Sequence, residues 1–318
     1  MSEFVNKIRR VSRNKMNRFH RWFYLFMHDS KRVKFFSNHF PRLYLSYYYR
    51  NWVGFFPNYK HPRDFCEKLL LYGLKNKNNV LFRQCADKAT VRDYVTAKGY
   101  GDILNEVYGV YDTVEEIPFD TLPNQFVLKI TNASGYNIIC TDKTKLDIEK
   151  TKEQLKKWLV DSNGFGFESG EWQYAYTKPR ILVEKYLSNL GESSLVDYKF
   201  NCFRGKVYSC FVAYDRSADD PHGVVSYDDY DRDWNLTEGI KPIWHKNRKV
   251  FPKPKTYERM LEIASKLSED FDYVRVDFYE IENDVLFSEL TFAPNGYVPD
   301  FYEQWMLDEL GEQLVLSK

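Results

Sequence analysis

Residues 274–292 read VRVDFYEIENDVLFSELTF, and the reading of this stretch decides the fold. Two alternating runs flank Glu282-Asn283-Asp284, a short polar turn, which predicts a β-hairpin. One face carries Val274, Val276, Phe278, Leu286, Leu290 and Phe292 and reads as a core face. The other carries Arg275, Asp277, Tyr279, Phe287, Glu289 and Thr291. Pairing Ile281 with Val285 sets Asp277 opposite Glu289. Carboxylates paired that way sit about 4.5–5.5 Å apart at Cβ and repel each other. A divalent cation between them turns repulsion into binding, and two carboxylates completed by ligand phosphates and water suit Mg²⁺. The plain alternative is a pair of solvated acids on the wet face of a hairpin.

The 318 residues around this hairpin suffice for two domains or one lobed one. Hydrophobic content of 43% and aromatic content of 18% exclude a disordered chain. The net charge of +1 hides an asymmetry. Residues 1–63 hold 14 Lys/Arg against 2 Asp/Glu, and the remainder holds 32 against 43, a basic arm on an acidic body. In the arm, Phe19, Trp22, Phe23 and Phe26 follow helical spacing beside Arg18 and Arg21. Three readings stand for it: rings packed on the body, a helix lying on an anionic membrane surface, or stacking on a nucleic-acid strand. No RNA or DNA module is recognisable, so nucleic acid is not the expected partner. Five cysteines without CxxC spacing indicate neither a zinc site nor a disulfide framework and fit a reducing compartment. The apolar run Trp22–Met27 is far shorter than the ~20 residues that span a bilayer, and no signal-peptide run follows Met1. The expected location is cytoplasmic, with peripheral association at the inner membrane face open through residues 1–63.

Asp64 reads as the cap of a helix through Leu71, and Asp87-Lys88 opens another that ends near Gly99. Tyr108–Tyr111 reads as a short strand. FVLKITNASGYNIIC, 126–140, repeats the hairpin logic, with Lys129 on the polar face and a small polar loop, Thr131–Gly135. Such a loop can bring backbone N–H groups to phosphate oxygens, although it lacks the Walker pattern and a plain turn is the alternative. A helix over 144–160, a Gly-rich loop at 163–170, a buried strand Ile181–Leu187 and a strand pair in 198–214 follow. Residues 215–254 show no clear period and read as an ordered insertion. An amphipathic helix over 255–270 feeds the hairpin, and a last helix runs around Trp305–Leu314.

The order of these parts resembles the ATP-grasp superfamily, and more closely its TupA-like branch. The carrying residues are Ala86-Asp87-Lys88-Ala89-Thr90-Val91-Arg92, FVLKITNASGYNII, ILVEKYL, DYKFNCFRGKV, Tyr230–Asn235 and VRVDFYEIENDVLFSELTF. The resemblance covers about residues 60–316 and implies an α+β fold: two lobes with antiparallel sheets clasping ATP, plus a basic helical N-terminal arm. It implies an arm at 1–63, a helical region at 64–125, a small lobe at 126–187 and a large metal-bearing lobe at 188–318. Lys129 would hold the α/β-phosphates, the 132–135 loop with Asn132, Ser134 and Gly135 would cover the β/γ-phosphates, and Lys88 would contact phosphate. Glu184 would accept from the adenine amino group, with backbone of Lys185 and Tyr186 at the ring edge. Lys199 would contact nucleotide or phosphate, Arg275 would stabilise transferred phosphoryl charge, and Asp277 and Glu289 would hold Mg²⁺. The superfamily's Glu-x-Asn reads Glu289-Leu290-Thr291 here, so Thr291, Asn295 or water completes the metal shell.

The implied activity is a carboxylate–amine ligase that uses ATP and Mg²⁺ and passes through an acyl phosphate. The implied substrates are a carboxylate on a cell-surface glycan or its precursor and an amine or amino acid. Two rivals remain: a glycosyltransferase using Asp231-Arg232-Asp233, and a non-catalytic, membrane-associated protein on the same fold.

Overall fold

The computed structural model describes residues 18–187, 195–214, 225–245 and 250–317. Residues 1–17 of the basic arm and parts of the 188–318 segment, including 215–224 and 246–249 of the insertion, lie outside the described residues. The chain opens with helices α1 (Arg18–Met27), α2 (Val33–His39), α3 (Pro41–Val53), α4 (Phe65–Lys75), α5 (Val80–Ala86) and α6 (Val91–Ala97). Side-chain caps set several starts: Asp64 accepts from the Glu67 N–H and Asn79 from the Leu81 N–H. Strands β1 (Val107–Tyr111), β2 (Phe126–Ile130) and β3 (Asn137–Cys140) precede α7 (Ile148–Asp161), α8 (Trp172–Ala175) and β4 (Ile181–Lys185). Then come β5 (Asp197–Phe203), β6 (Lys206–Tyr214), β7 (Ser226–Asp231), α9 (Tyr257–Ser268), β8 (Val274–Ile281), β9 (Asp284–Thr291) and α10 (Gln304–Gln313).

Two antiparallel sheets result, β1-β4-β2-β3 and β7-β6-β5-β8-β9. The first buries Phe126, Leu128, Ile130, Ile181 and Val183 with Val114, Phe119, Leu122 and Leu155. Residues 107–122, read as part of the helical region, thus join this sheet through β1 and the segment after it. In the second sheet β5 is central and buried along its whole length, and α9 packs Met260, Ile263 and Leu267 beneath it. The three arm helices are part of the same large core: Met27, Tyr44, Leu45 and Tyr47–Tyr49 are buried in it. Tyr44 Oη donates to the Glu168 carbonyl at 2.9 Å, and Trp172 Nε1 donates to Ser37 Oγ at 3.0 Å. Among the described residues, no helix is long and apolar enough to cross a membrane.

The hairpin at 274–292 forms by a different route from the expected one. Ile281 pairs with Asp284, so the turn has two residues, and Glu282 and Asn283 both take left-handed backbone (φ 53° and 66°). That is the backbone a tight two-residue hairpin needs. The register is therefore one residue off the expected pairing at the turn. A bulge at Ser288 then adds one residue to β9, and Asp277 pairs with Glu289 after all. The price is parity: Val285 and Phe287 are buried in the core, while Leu286 is half-buried opposite Tyr279. The expected sides of Leu286 and Phe287 are exchanged because an inserted residue inverts the alternation on one side of itself.

A second correction concerns 226–231, expected to be irregular. It is edge strand β7, paired with β6 throughout. No alternation shows because both faces of the strand carry buried acids: Asp228 and Asp229, neighbours on opposite faces, are fully buried.

Candidate active site

The cleft between the sheets encloses about 580 Å³. One wall is built on the first sheet. Lys129 on β2 and Glu184 on β4 stand diagonally across neighbouring strands, and Lys129 Nζ lies 2.5 Å from Glu184 Oε1. Lys88 sits in the turn between α5 and α6, where Asp87 accepts from the N–H groups of Ala89 and Thr90. Its backbone N–H donates to the Thr131 carbonyl, and its ammonium donates to the carbonyls of Ala133 and Ile130. Lys88 therefore ties the small polar loop to the helical region, and burial pulls its ammonium below the usual range. Ser134 and Gly135 of that loop line the cleft, with Gly135 in the left-handed backbone region (φ 80°).

The facing wall is a row of charges across the second sheet. Lys199, Asp277 and Glu289 are direct neighbours on β5, β8 and β9; Asn201, Arg275 and Thr291 form the row beside them. Lys199 is ion-paired to Asp277 and lies 3.7 Å from Asp197. Arg275 donates to both Asp277 oxygens at 2.7 Å, to Glu289 Oε1 at 3.1 Å and to Thr291 Oγ1 at 3.0 Å. The space between the two carboxylates, where the sequence places a cation, thus holds a guanidinium. Asp277 is fully buried, whereas 41% of the Glu289 side chain is exposed to the cleft. Burial raises the Asp277 carboxyl against the pull of Arg275 and Lys199. At Glu289 burial also raises, but Lys199, Arg275 and Lys88 outweigh it and bring the carboxyl down to about 2.

The donor set fits Mg²⁺ in part: Asp277, Glu289 and Thr291 offer hard oxygens, but Arg275 holds all three. Among the described residues no group of three or more His, Cys, Asp or Glu is placed to hold a metal, so protein ligands alone cannot complete a shell. Two carboxylates with a neighbouring hydroxyl are hard oxygen donors that suit Mg²⁺ when phosphates and water supply the rest. Glu289 is the accessible carboxylate, and Asp277 lies behind it in the grip of Arg275. Asn295 also lines the cleft, its amide donating to the Val298 carbonyl and to Asp300 Oδ1.

The cleft thus gathers Lys88, Lys129, Ser134, Gly135, Glu184, Lys199, Arg275, Glu289 and Asn295. It does not gather Asn132. That side chain is buried and donates to the carbonyls of Ser162, Tyr174 and Thr177, pinning the loop from behind. Nor does Lys185 offer free backbone: its N–H donates to the Glu106 carbonyl and its carbonyl accepts from Asn105 Nδ2. Tyr186 is half-buried just past β4 and is not part of the lining. Sequence reasoning missed Arg92, Asn105 and Asp197, and an aromatic end wall of Phe211, Tyr227, Trp244 and Phe301. Asp197 was findable, since it sits two residues before Lys199 on one strand face. The wall was not, because its four rings come from four separated segments.

Two α+β units whose antiparallel sheets close on a cation-lined cleft define the ATP-grasp class of fold. Within that class the chain belongs to the TupA-like ATP-grasp family, whose model matches residues 67–315. None of the functionally characterised sequences compared matches the chain. Among solved structures it is similar to D-alanine–D-alanine ligase from Helicobacter pylori, at 15% identity and TM-score 0.38, covering 73% of this chain and 61% of that one. It is similar to the ATP complex of D-alanine–D-alanine ligase from Bacillus anthracis, at 14% and 0.40, covering 73% and 66%. D-cycloserine synthetase DcsG aligns at 12% and 0.43, covering 74% and 70%. The chain spans about three fifths of the length of the first of these ligases.

Proposed function

We propose that this protein is an ATP-dependent carboxylate–amine ligase. The observation that carries the reading is the facing of two cationic walls across one cleft, Lys88 and Lys129 on one side and Lys199 and Arg275 on the other. Phosphoryl transfer needs charge neutralised and reactants held in line, and this donor set does both without a covalent nucleophile. Lys129 and Lys88 would hold the triphosphate, and displacement of Lys129 by phosphate would free Glu184 to accept from the adenine amino group. Glu289, with Asp277 and Thr291, would hold Mg²⁺, which when bound neutralises phosphate charge beyond what the lysines supply. A substrate carboxylate oxygen attacks the γ-phosphorus and ADP leaves. The amine lone pair then attacks the acyl carbon, the C–O bond to phosphate breaks, and the amine gives up its extra proton. Arg275, 5.6 Å above the Phe211 ring, would stabilise the charge of the transferred phosphoryl group beside the aromatic end wall.

That wall supports a ring-bearing acid as the carboxylate substrate. Tyr227 packs within 5.3–5.7 Å of Phe301, Trp244 and Phe211, a surface suited to the apolar face of a pyranose ring. A uronic acid of a cell-surface glycan or its precursor fits this chemistry, with an amino acid or other amine as the second substrate. The glycosyltransferase reading loses its motif, because Asp231 is used to hold a turn, accepting from the N–H groups of Asp233 and Asn235. One rival keeps a specific observation. Arg275 bridging Asp277, Glu289 and Thr291 favours a nucleotide binder that does not turn over.

The test is calorimetry of Mg²⁺-ATP on wild type and Glu289→Gln, followed by uronic acids with amines screened for ADP release and amide mass. Mg²⁺-dependent binding that Glu289→Gln weakens at least tenfold, with an amide product, supports the ligase. ATP binding without ADP release under any pair supports the rival, and no ATP binding by folded wild type sinks both.

A further inference from the structure

Half of the exposed large apolar side chains among the described residues lie between Phe19 and Phe56. Phe19, Trp22 and Leu25 on α1 are 61%, 57% and 58% exposed, and Phe35, Phe40, Leu43, Phe55 and Phe56 are exposed as well. These are not scattered side chains. Ring contacts of 5.3–6.1 Å run continuously from Phe56 through His20, Phe19, Trp22, Phe26, Phe36 and Phe35 to Phe40. Bases stand in the same band. Arg18, Arg21, Lys31, Arg32, Lys34 and Arg42 are exposed, against the single acid Asp29 within residues 18–63. At 100° per residue, Arg21, Leu25, Arg18, Trp22, Phe26 and Phe19 share one arc of α1. Guanidinium groups also lie over rings, Arg32 4.3 Å from Phe26 and Arg50 4.4 Å from Phe56.

We infer that this face docks the protein onto an anionic lipid bilayer. Aromatic rings and leucines at the level of the headgroups, with arginines among them, are what an interfacial helix presents to such a surface. A second copy of the chain is a poor occupant, since the patch would bring its own positive charges together. A nucleic-acid strand would leave Leu25 and Leu43 without a role, because aliphatic side chains do not stack on bases. The face is rigid toward the body: α3 buries Tyr44 and Tyr47–Tyr49, and the Ser37–Trp172 bond fastens α2. The inference stands independently of the ligase reading.

The experiment is co-sedimentation of the full chain with phosphatidylcholine vesicles, with and without about 30 mol% phosphatidylglycerol, read without turnover. The expected result is binding at least tenfold tighter to the anionic vesicles and weakened by salt. Trp22→Ala/Leu25→Ala should lose at least tenfold, and Arg18→Ala/Arg21→Ala about fivefold per base, with Mg²⁺-ATP affinity unchanged in both. These side chains are exposed, so circular dichroism of the variants should match wild type. Wild type that ignores both vesicle types overturns the inference. So do apolar variants that bind like wild type, a stable dimer that buries Trp22, or oligonucleotide binding in place of vesicle binding.

Discussion

Two ionic groups face one cleft and are built on opposite principles. Lys129 and Glu184 make a single contact, with 28% and 11% of their side chains exposed. Asp277 is fully enclosed and takes two hydrogen bonds from Arg275 and an ion pair from Lys199. The first pair is easier to open, because Lys129 reaches the water of the cleft even though Glu184 is buried. The second is costly to open, because removing one member leaves buried charge without compensation. The difference teaches which wall can exchange partners with a ligand at lower cost and which wall holds the frame of the cleft.

Asp277→Asn strikes the enclosed group and should cost about 3–5 kcal/mol in urea unfolding, since Lys199 and Arg275 stay buried without their carboxylate. A loss under about 1 kcal/mol would erase the distinction drawn between the two groups. Glu171 supplies a sharpening case, a half-buried carboxyl with no ion pair among the described residues, which desolvation pushes up to about 7 against the pull of Ser169. Its folded state holds the proton more tightly than the unfolded chain, whose ordinary value is 4.5. Stability is therefore full below that value and falls as pH rises towards 7, by up to about 3 kcal/mol. Asp229, raised to about 7 by burial, adds in the same direction. Glu171→Gln should flatten part of this fall, and an unchanged pH profile would refute the assignment.

Lys129→Met strikes the more open pair and should cost about 1–2 kcal/mol, less than Asp277→Asn, because Glu184 is buried and loses its cation. Its expected effect is on ATP, whose affinity should drop about 10- to 100-fold, roughly 1.4–2.8 kcal/mol by calorimetry. Equal losses of stability in Lys129→Met and Asp277→Asn would break the comparison outright. The smallest structural effect should come from Glu289→Gln, within about 0.5–1 kcal/mol by thermal melting, because its carboxylate is half in water.

The hairpin, Lys129, Asp277 and Glu289 were legible because strand alternation puts such residues on one face, whereas Glu184 and Lys199 were singled out only by the family resemblance. What the alternation could not show was occupancy. Nothing in a one-dimensional pattern says that Arg275, two residues from Asp277, folds back to lie between the carboxylates. Asn132 misled for a related reason: a polar loop residue beside a phosphate-sized loop reads as a ligand, while its amide spends its donors on three carbonyls behind the loop. Strand β7 escaped because Asp228 and Asp229 are buried acids, which defeat any hydrophobic pattern. The burial of Tyr44 and Tyr47–Tyr49 shows residues 18–63 to be partly core and partly surface, a mixture that charge counting alone read as an arm.

Ser288 stands in β9 as a spacer with no partner of its own across the hairpin. Excising it would leave Phe287 opposite Phe278 and Glu289 opposite Asp277, every cross-strand neighbour unchanged. What would go is the local bend that a bulge imposes on its strand, and with it the direction in which the Glu289 carboxylate leaves the sheet. Few single-residue deletions alter where a ligand points without altering what it sits beside, and here the deletion separates aim from adjacency.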